Sequence, residues 1–296
     1  MAWVTWRQHR LEGLWALILV GLLAAFIAYV AYQLHAAACP GLVSGYCFDR
    51  GVGGQLAQAI AQFNLYQYGL VVLPALAGAF IGCPLVAREI ENGTHRLAWT
   101  QGVTRTRWLL VKLALIFVPL LVAAAAVGIL EVILINQLGL QPSHWAYFDQ
   151  QAPMTVGATM FAMALGVAAG SVIGKSVPAM AVTLVTFVVV RVGLAELARP
   201  NYMAPLLYKA HDLPTDILAA NPSAWWMGQP EYYDAAGHSL GNGSPGLLGQ
   251  QIASVAQYFQ PGDRFWAFQT IESAILVILA AALLGFAVYW VTRRVS

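Results

Sequence analysis

Six stretches of roughly twenty mostly apolar residues constrain this chain more than any other feature, because that is the length an α-helix needs to cross a bilayer's hydrocarbon core. They run from about Leu14 to Leu34, Tyr68 to Ala87, Leu109 to Ile135, Met154 to Ile173, Val177 to Ala195 and Phe268 to Val291. The third is long enough to tilt or protrude. Only 9% of the residues are charged, and 59% are hydrophobic. A soluble domain carries about 25% charge, so an ordinary soluble enzyme and a disordered chain are excluded. A formal net charge of +2 is too small for a nucleic-acid partner. The pattern predicts an all-α polytopic membrane protein with six transmembrane helices.

The first run ends near Ala36-Ala37-Ala38, which looks like a signal-peptide cleavage site. Its apolar stretch exceeds the about 7–15 residues of a signal-peptide core, so an uncleaved first helix is expected. Basic residues mark the cytoplasmic side. Arg7, Arg10, Arg88, Arg96, Arg105, Arg107, Lys112, Lys175, Arg293 and Arg294 all fall on one side of a six-helix arrangement, and the opposite short loops hold only Arg50. Both termini are therefore expected in the cytoplasm, with the chain multi-pass in the plasma (inner) membrane. Residues 198–267 then form a long extracytoplasmic loop between helices five and six, rich in Pro, Gly and aromatics. Its aromatic content predicts a small ordered cap.

Motifs for bond-making chemistry are missing. None of the six histidines pairs at ligand spacing with another His or Cys, so no helix face offers a metalloprotease site. Gly170-Ser171-Val172-Ile173-Gly174-Lys175-Ser176 resembles a phosphate loop but is one residue short and follows an apolar helix. Gly166, Gly170 and Gly174 recur every four residues and read as a face for close helix packing, as do Gly78 and Gly82. Cys39 and Cys47 lie in the first outer loop, where a disulfide is permitted. Cys83 reads as a packing residue.

Four charges sit within or near the helices: Glu131, Arg191, Glu196 and Glu272. At 1.5 Å per residue, Glu131 lies roughly 27 Å and Arg191 roughly 21 Å above the inner ends of their helices, and Glu272 roughly 8 Å below an outer end. All fall in the outer third of the core. Arg191 is expected to pair with Glu131 or Glu272, as a structural ion pair or as an outer gate.

The largest concentration of charge is residues 88–108, followed by Lys112: five cations against two acids. Asn92-Gly93 breaks the second helix. Thr94 can cap a short helix carrying Leu97, Ala98 and Trp99, Gln101-Gly102 ends it, and Thr104 can cap the third helix. A short helix across the membrane surface is a docking element; a basic loop that only sets topology is the alternative.

This segment resembles the loop of ABC transporter permeases of the second, exporting, type, which have the type V exporter fold. The matching residues are Glu89, Glu91, Gly93-Thr94, Leu97, Val103-Thr104-Arg105 and Lys112, in order and between helices two and three. The last loop is longer than in minimal members, and Gly102 stands where many have Pro. The resemblance implies a single permease domain over residues 1–296. Residues 1–12 would form a connecting helix, whose Trp3, Trp6, Leu11 and Leu14 also make an interfacial amphipathic face. Glu91 to Gln101 would be a coupling helix, with Thr94, His95, Leu97 and Trp99 contacting a cytoplasmic ABC ATPase. Glu89, Glu91 and Arg105 would brace the loop. The chain would catalyse no reaction itself and hold no cofactor, ATP and Mg being bound by the partner ATPase. It would pair with a second copy or a related permease and export an amphiphilic, drug-like or lipid-like substrate. The alternative is a membrane-embedded enzyme or sensor using the Glu131/Arg191/Glu272 layer.

Overall fold

The computed structural model describes residues 69–94, 104–137, 145–210, 223–242 and 252–294, with isolated helical positions at Gly21, Ala25, Ala28, Tyr29 and Tyr32. The rest of the first apolar run, residues 1–12, Cys39, Cys47, His95, Leu97 and Trp99 lie outside the described residues.

Among the described residues, five helices are long and apolar enough to cross a membrane. They are α1 (Gly69–Glu91), α2 (Arg105–Gln137), α3 (Ala152–Ile173), α4 (Ser176–Gly193) and α5 (Phe265–Arg293). They coincide with the second to sixth predicted runs, with ends shifted by a few residues. Local chemistry sets those ends. The Thr104 hydroxyl accepts from the Arg107 N–H at 3.3 Å and starts α2, as a capping threonine should. Pro153 occupies the first turn of α3, where its missing N–H costs nothing. Gly174, with φ 66°, ends α3 in the left-handed conformation.

Helix α3 is the axis of the bundle and packs against α1, α2, α4 and α5. Glycines let α1 approach it closely. A methyl on Gly78 would overlap the Ala162 carbonyl, one on Gly166 would overlap the Gly78 carbonyl, and one on Gly170 would lie 2.6 Å from the Cys83 oxygen. The expected glycine face is therefore present at Gly166 and Gly170, but Gly174 serves as the helix terminator. Cys83 is fully buried in this seam, its sulfur 3.0 Å from the Thr183 hydroxyl.

The all-α expectation fails between α4 and α5. There the chain forms a four-stranded antiparallel sheet in the order β1-β4-β2-β3, from β1 (Leu206–Ala210), β2 (Trp225–Tyr233), β3 (Ser239–Gly241) and β4 (Ser254–Gln260). Aromatic residues fill these strands (Trp225, Trp226, Tyr232, Tyr233, Tyr258, Phe259), and such residues suit a pleated, half-buried surface. The sheet is fastened to the bundle. Gln260 Nε2 donates to the Met203 carbonyl at 2.7 Å, and Arg264 donates to the Ala204 carbonyl at 2.8 Å and Gln260 Oε1 at 2.9 Å. Beneath it, Trp145 and Phe148 of a short 3₁₀ turn (Trp145–Gln150) pack on Phe265, Phe268 and Trp225.

Candidate functional site

At the sheet end of the bundle, two guanidiniums and two carboxylates form a closed network. Helix α4 continues through a π turn (Leu194–Ala198) into a 3₁₀ turn (Arg199–Asn201), so Arg191 and Arg199 stand about two turns apart on one rod. Glu272 comes from the second turn of α5 and is fully buried. Asp149 comes from the 3₁₀ turn before α3. Arg191 donates to Glu272 Oε1 and to Asp149 Oδ1, each at 2.7 Å. Arg199 donates to Glu272 Oε2 and Oε1 at 2.8 Å and to Asp149 Oδ1 at 2.7 Å. Its guanidinium also lies 4.1 Å from the Phe148 ring centre.

Glu272, Arg191 and Arg199 are buried and Asp149 is half-buried, and burying charges costs heavily unless each is paired and hydrogen-bonded. Here two positive and two negative groups cancel, and the Arg199–Glu272 contact has fork geometry. Burial pushes the Asp149 carboxyl up, but Arg199 and Arg191 outweigh it and hold the carboxyl below its usual range. The Tyr202 hydroxyl lies 3.5 Å from Glu272 Oε2. Burial, then the Glu272 charge, push this phenol up to about 12. It is a neutral donor at every physiological pH.

Arg191 thus pairs with Glu272, one of its two expected partners, and with Asp149 rather than with Glu131. Glu131 is fully buried on α2, where its charge, after burial itself, raises the Tyr147 phenol. Glu196 lies in the π turn, outside the network. Sequence reasoning missed Asp149, Arg199 and Tyr202. Arg199 follows Arg191 by eight residues, and that helical spacing was the available signal. Asp149 offered none, since only the fold of the 145–150 turn brings it inward.

At the opposite end, Glu89, Glu91 and Arg105 each contact another helix. Lys112, buried on α2, forms an ion pair with Glu89. Glu91 Oε2 accepts from the Ser176 N–H at 3.1 Å and the Ser176 hydroxyl at 3.0 Å, so it caps the first turn of α4. A carboxylate at a helix N-terminus satisfies an orphan N–H and meets the positive end of the helix dipole. Arg105 donates to the Thr292 carbonyl at 3.3 Å near the end of α5. Gly93 takes φ 69°, which turns the chain out of α1. The Thr94 hydroxyl donates back to the Glu89 carbonyl at 3.5 Å, and the residues it would cap lie outside the described ones.

Residues 13–199 match the family model described as ABC-2 membrane transporter related. No curated protein and no solved structure matches the chain.

Proposed function

The chain belongs to the ABC-2 membrane transporter related family, and on that premise we propose that it is the membrane-spanning permease subunit of an ATP-driven exporter. It would work with a separate cytoplasmic ABC ATPase that binds ATP and Mg, and as a pair with a second copy or a related permease. The whole chain would be one permease domain of type V exporter fold in the plasma (inner) membrane, with both termini cytoplasmic. An amphiphilic, drug-like or lipid-like substrate would cross by alternating access.

The observation that carries this reading is the braced turn after α1. Glu89 and Glu91 are held by Lys112 and Ser176, and this ties the end of α1 to α2 and α4. A segment tied at this point to α1, α2 and α4 can pass a push from an ATPase into those helices. In this reading Thr94, His95, Leu97 and Trp99 contact the ATPase. The Asp149/Arg191/Arg199/Glu272 network is the outer gate. An enzyme or sensor reading gains nothing from that network, because its four charged groups are already engaged with one another.

The test is co-purification from the native membrane under mild detergent. An ATPase is expected with the parent chain and lost from the Leu97→Asp/Trp99→Asp variant. A folded parent that brings down no ATPase overturns the proposal.

A further inference from the structure

Exposed charge is divided unevenly between the two ends of the bundle. At the loop end Arg88, Arg107, Lys175, Arg293 and Arg294 are exposed. The two acids described there are engaged within the protein, Glu89 with Lys112 and Glu91 with Ser176. At the helix termini of the sheet end, the exposed charges among the described residues are the acids Glu196 and Asp263. Two of the exposed arginines each close a row of exposed apolar side chains. On α2 the row is Arg107, Leu110, Ala114, Val118 and Val122, and on α5 it is Arg293, Tyr289, Phe286, Ala282 and Ile278. Spacings of three and four residues keep each row on one helix face. Its larger side chains are exposed, from 44% at Phe286 to 67% at Ile278. Arg105 donates to the Thr292 carbonyl at 3.3 Å, so both rows begin at the same end of the bundle. From these rows we infer a binding surface for anionic phospholipid, with the headgroup phosphate on Arg107 or Arg293 and the acyl chains laid along the row beside it.

The scale of each row fits one lipid. From arginine to last residue each row rises roughly 22 Å at about 1.5 Å per residue. Half of a hydrocarbon core about 30 Å thick is about 15 Å, so a row outlasts the acyl chains of one leaflet and sets its guanidinium at the headgroups. A long basic side chain beside lipid holds its charge at that level, and Tyr289 is the kind of residue that favours it. A guanidinium also matches a phosphate with two parallel hydrogen bonds. Among the described residues neither Arg107 nor Arg293 is paired with a carboxylate, so the lipid supplies the counter-charge. A zwitterionic headgroup carries a phosphate too, but it brings an ammonium to an end that is already positive. An anionic headgroup does not. Glu196 and Asp263 disfavour the same lipid at the sheet end, so the preference belongs to one leaflet. This inference rests on the membrane-spanning part of the proposed function and is independent of transport.

The test uses the full chain in phosphatidylcholine vesicles holding a trace of phosphatidylglycerol or phosphatidylcholine spin-labelled on an acyl chain. Electron paramagnetic resonance reads the share of each labelled lipid that the protein holds motionally restricted. At about 0.01 M salt, phosphatidylglycerol is expected to be favoured several-fold over phosphatidylcholine. The preference should fall toward parity at about 1 M salt, where the screening length is only about 3 Å. The Arg107→Gln/Arg293→Gln variant should lose most of the preference, and Arg107→Lys/Arg293→Lys should keep a large part of it. Equal association of the two lipids with the parent chain overturns the inference, and so does a preference that the Gln variant keeps in full. A parent chain that restricts neither lipid would instead sink the membrane-spanning reading itself. The second measurement needs no substitution. Phosphatidylglycerol carrying a photoreactive headgroup is crosslinked to the parent chain, and the labelled peptides are mapped. Adducts are expected within residues 105–110 and 289–294. Adducts that are as frequent within residues 194–199 and 262–266 overturn the inference.

Discussion

The two ends of the bundle both use charge, but in different ways. At the sheet end, Arg191 and Arg199 meet Glu272 and Asp149, and every member compensates another inside the protein. At the loop end, charge meets a dipole or a carbonyl: Glu91 caps α4 and Arg105 reaches Thr292. Among the described residues the Glu89–Lys112 contact there is an ion pair. A buried pair that loses one partner strands a charge, at about 3–5 kcal/mol. A cap is worth about 1 kcal/mol. The sheet end therefore opens as a unit or stays shut. Beside the Glu89–Lys112 pair, whose Lys112 is buried, the loop end holds shape through a cap and a carbonyl contact that a docking partner could exchange at small cost. For a transporter that division is useful, with a stiff outer closure and a compliant input.

The comparison breaks most directly at Glu272. Glu272→Gln leaves two guanidiniums facing one carboxylate, and we expect a loss of about 3–5 kcal/mol, read by denaturant titration in mild detergent. A loss below that of any loop-end variant would show that the network does not hold the sheet end. The next largest effect belongs to the seam joining the two ends. Gly166→Ala places a methyl against the Gly78 carbonyl, and overpacking of this kind costs about 1–3 kcal/mol. If α1 and α3 separate to accept it, the Cys83–Thr183 contact should weaken and Cys83 should alkylate faster.

Acid should weaken the sheet end more gently. The folded-state carboxyl of Asp149 lies below its usual range, so its contribution is complete above the ordinary aspartate value of about 3.9 and falls away as pH drops below it. Unfolding measured from pH 6 downward should show the loss. Asp149→Asn should flatten that limb while lowering stability at neutral pH. The effect is smaller than that of Glu272→Gln because Glu272 still binds both arginines.

How legible each end was follows from where its signal lay. The five described spans were readable because apolar length alone specifies a membrane helix, whereas the bracing role expected of Glu89, Glu91 and Arg105 came only from the family resemblance of their segment. The sheet was not readable. Its strands are short and interrupted by Gly228 with φ 66°, where the register between β2 and β4 slips. At the network, Glu272 and Arg191 stood out as charges in apolar runs. Arg199 and Asp149 did not, since each looked like an ordinary loop charge until a π turn and a 3₁₀ turn folded them inward.

The smallest expected effect sharpens the comparison furthest. Glu91→Gln keeps a side-chain oxygen that can accept from Ser176 but removes the charge facing the α4 dipole. If the contact is a charge–dipole cap, the loss should be smaller than that of any sheet-end variant and should shrink as salt is added. Ser176→Ala removes the hydroxyl donor and leaves the N–H, so it should cost no more than Glu91→Gln. In a double-mutant cycle the pair should couple, because both variants weaken one contact. A Glu91→Gln loss as large as that of Glu272→Gln would instead make the loop end as rigid as the sheet end. The compliance argued for it would then be wrong, and a push on residues 94–104 would have to move α1 and α4 as one body.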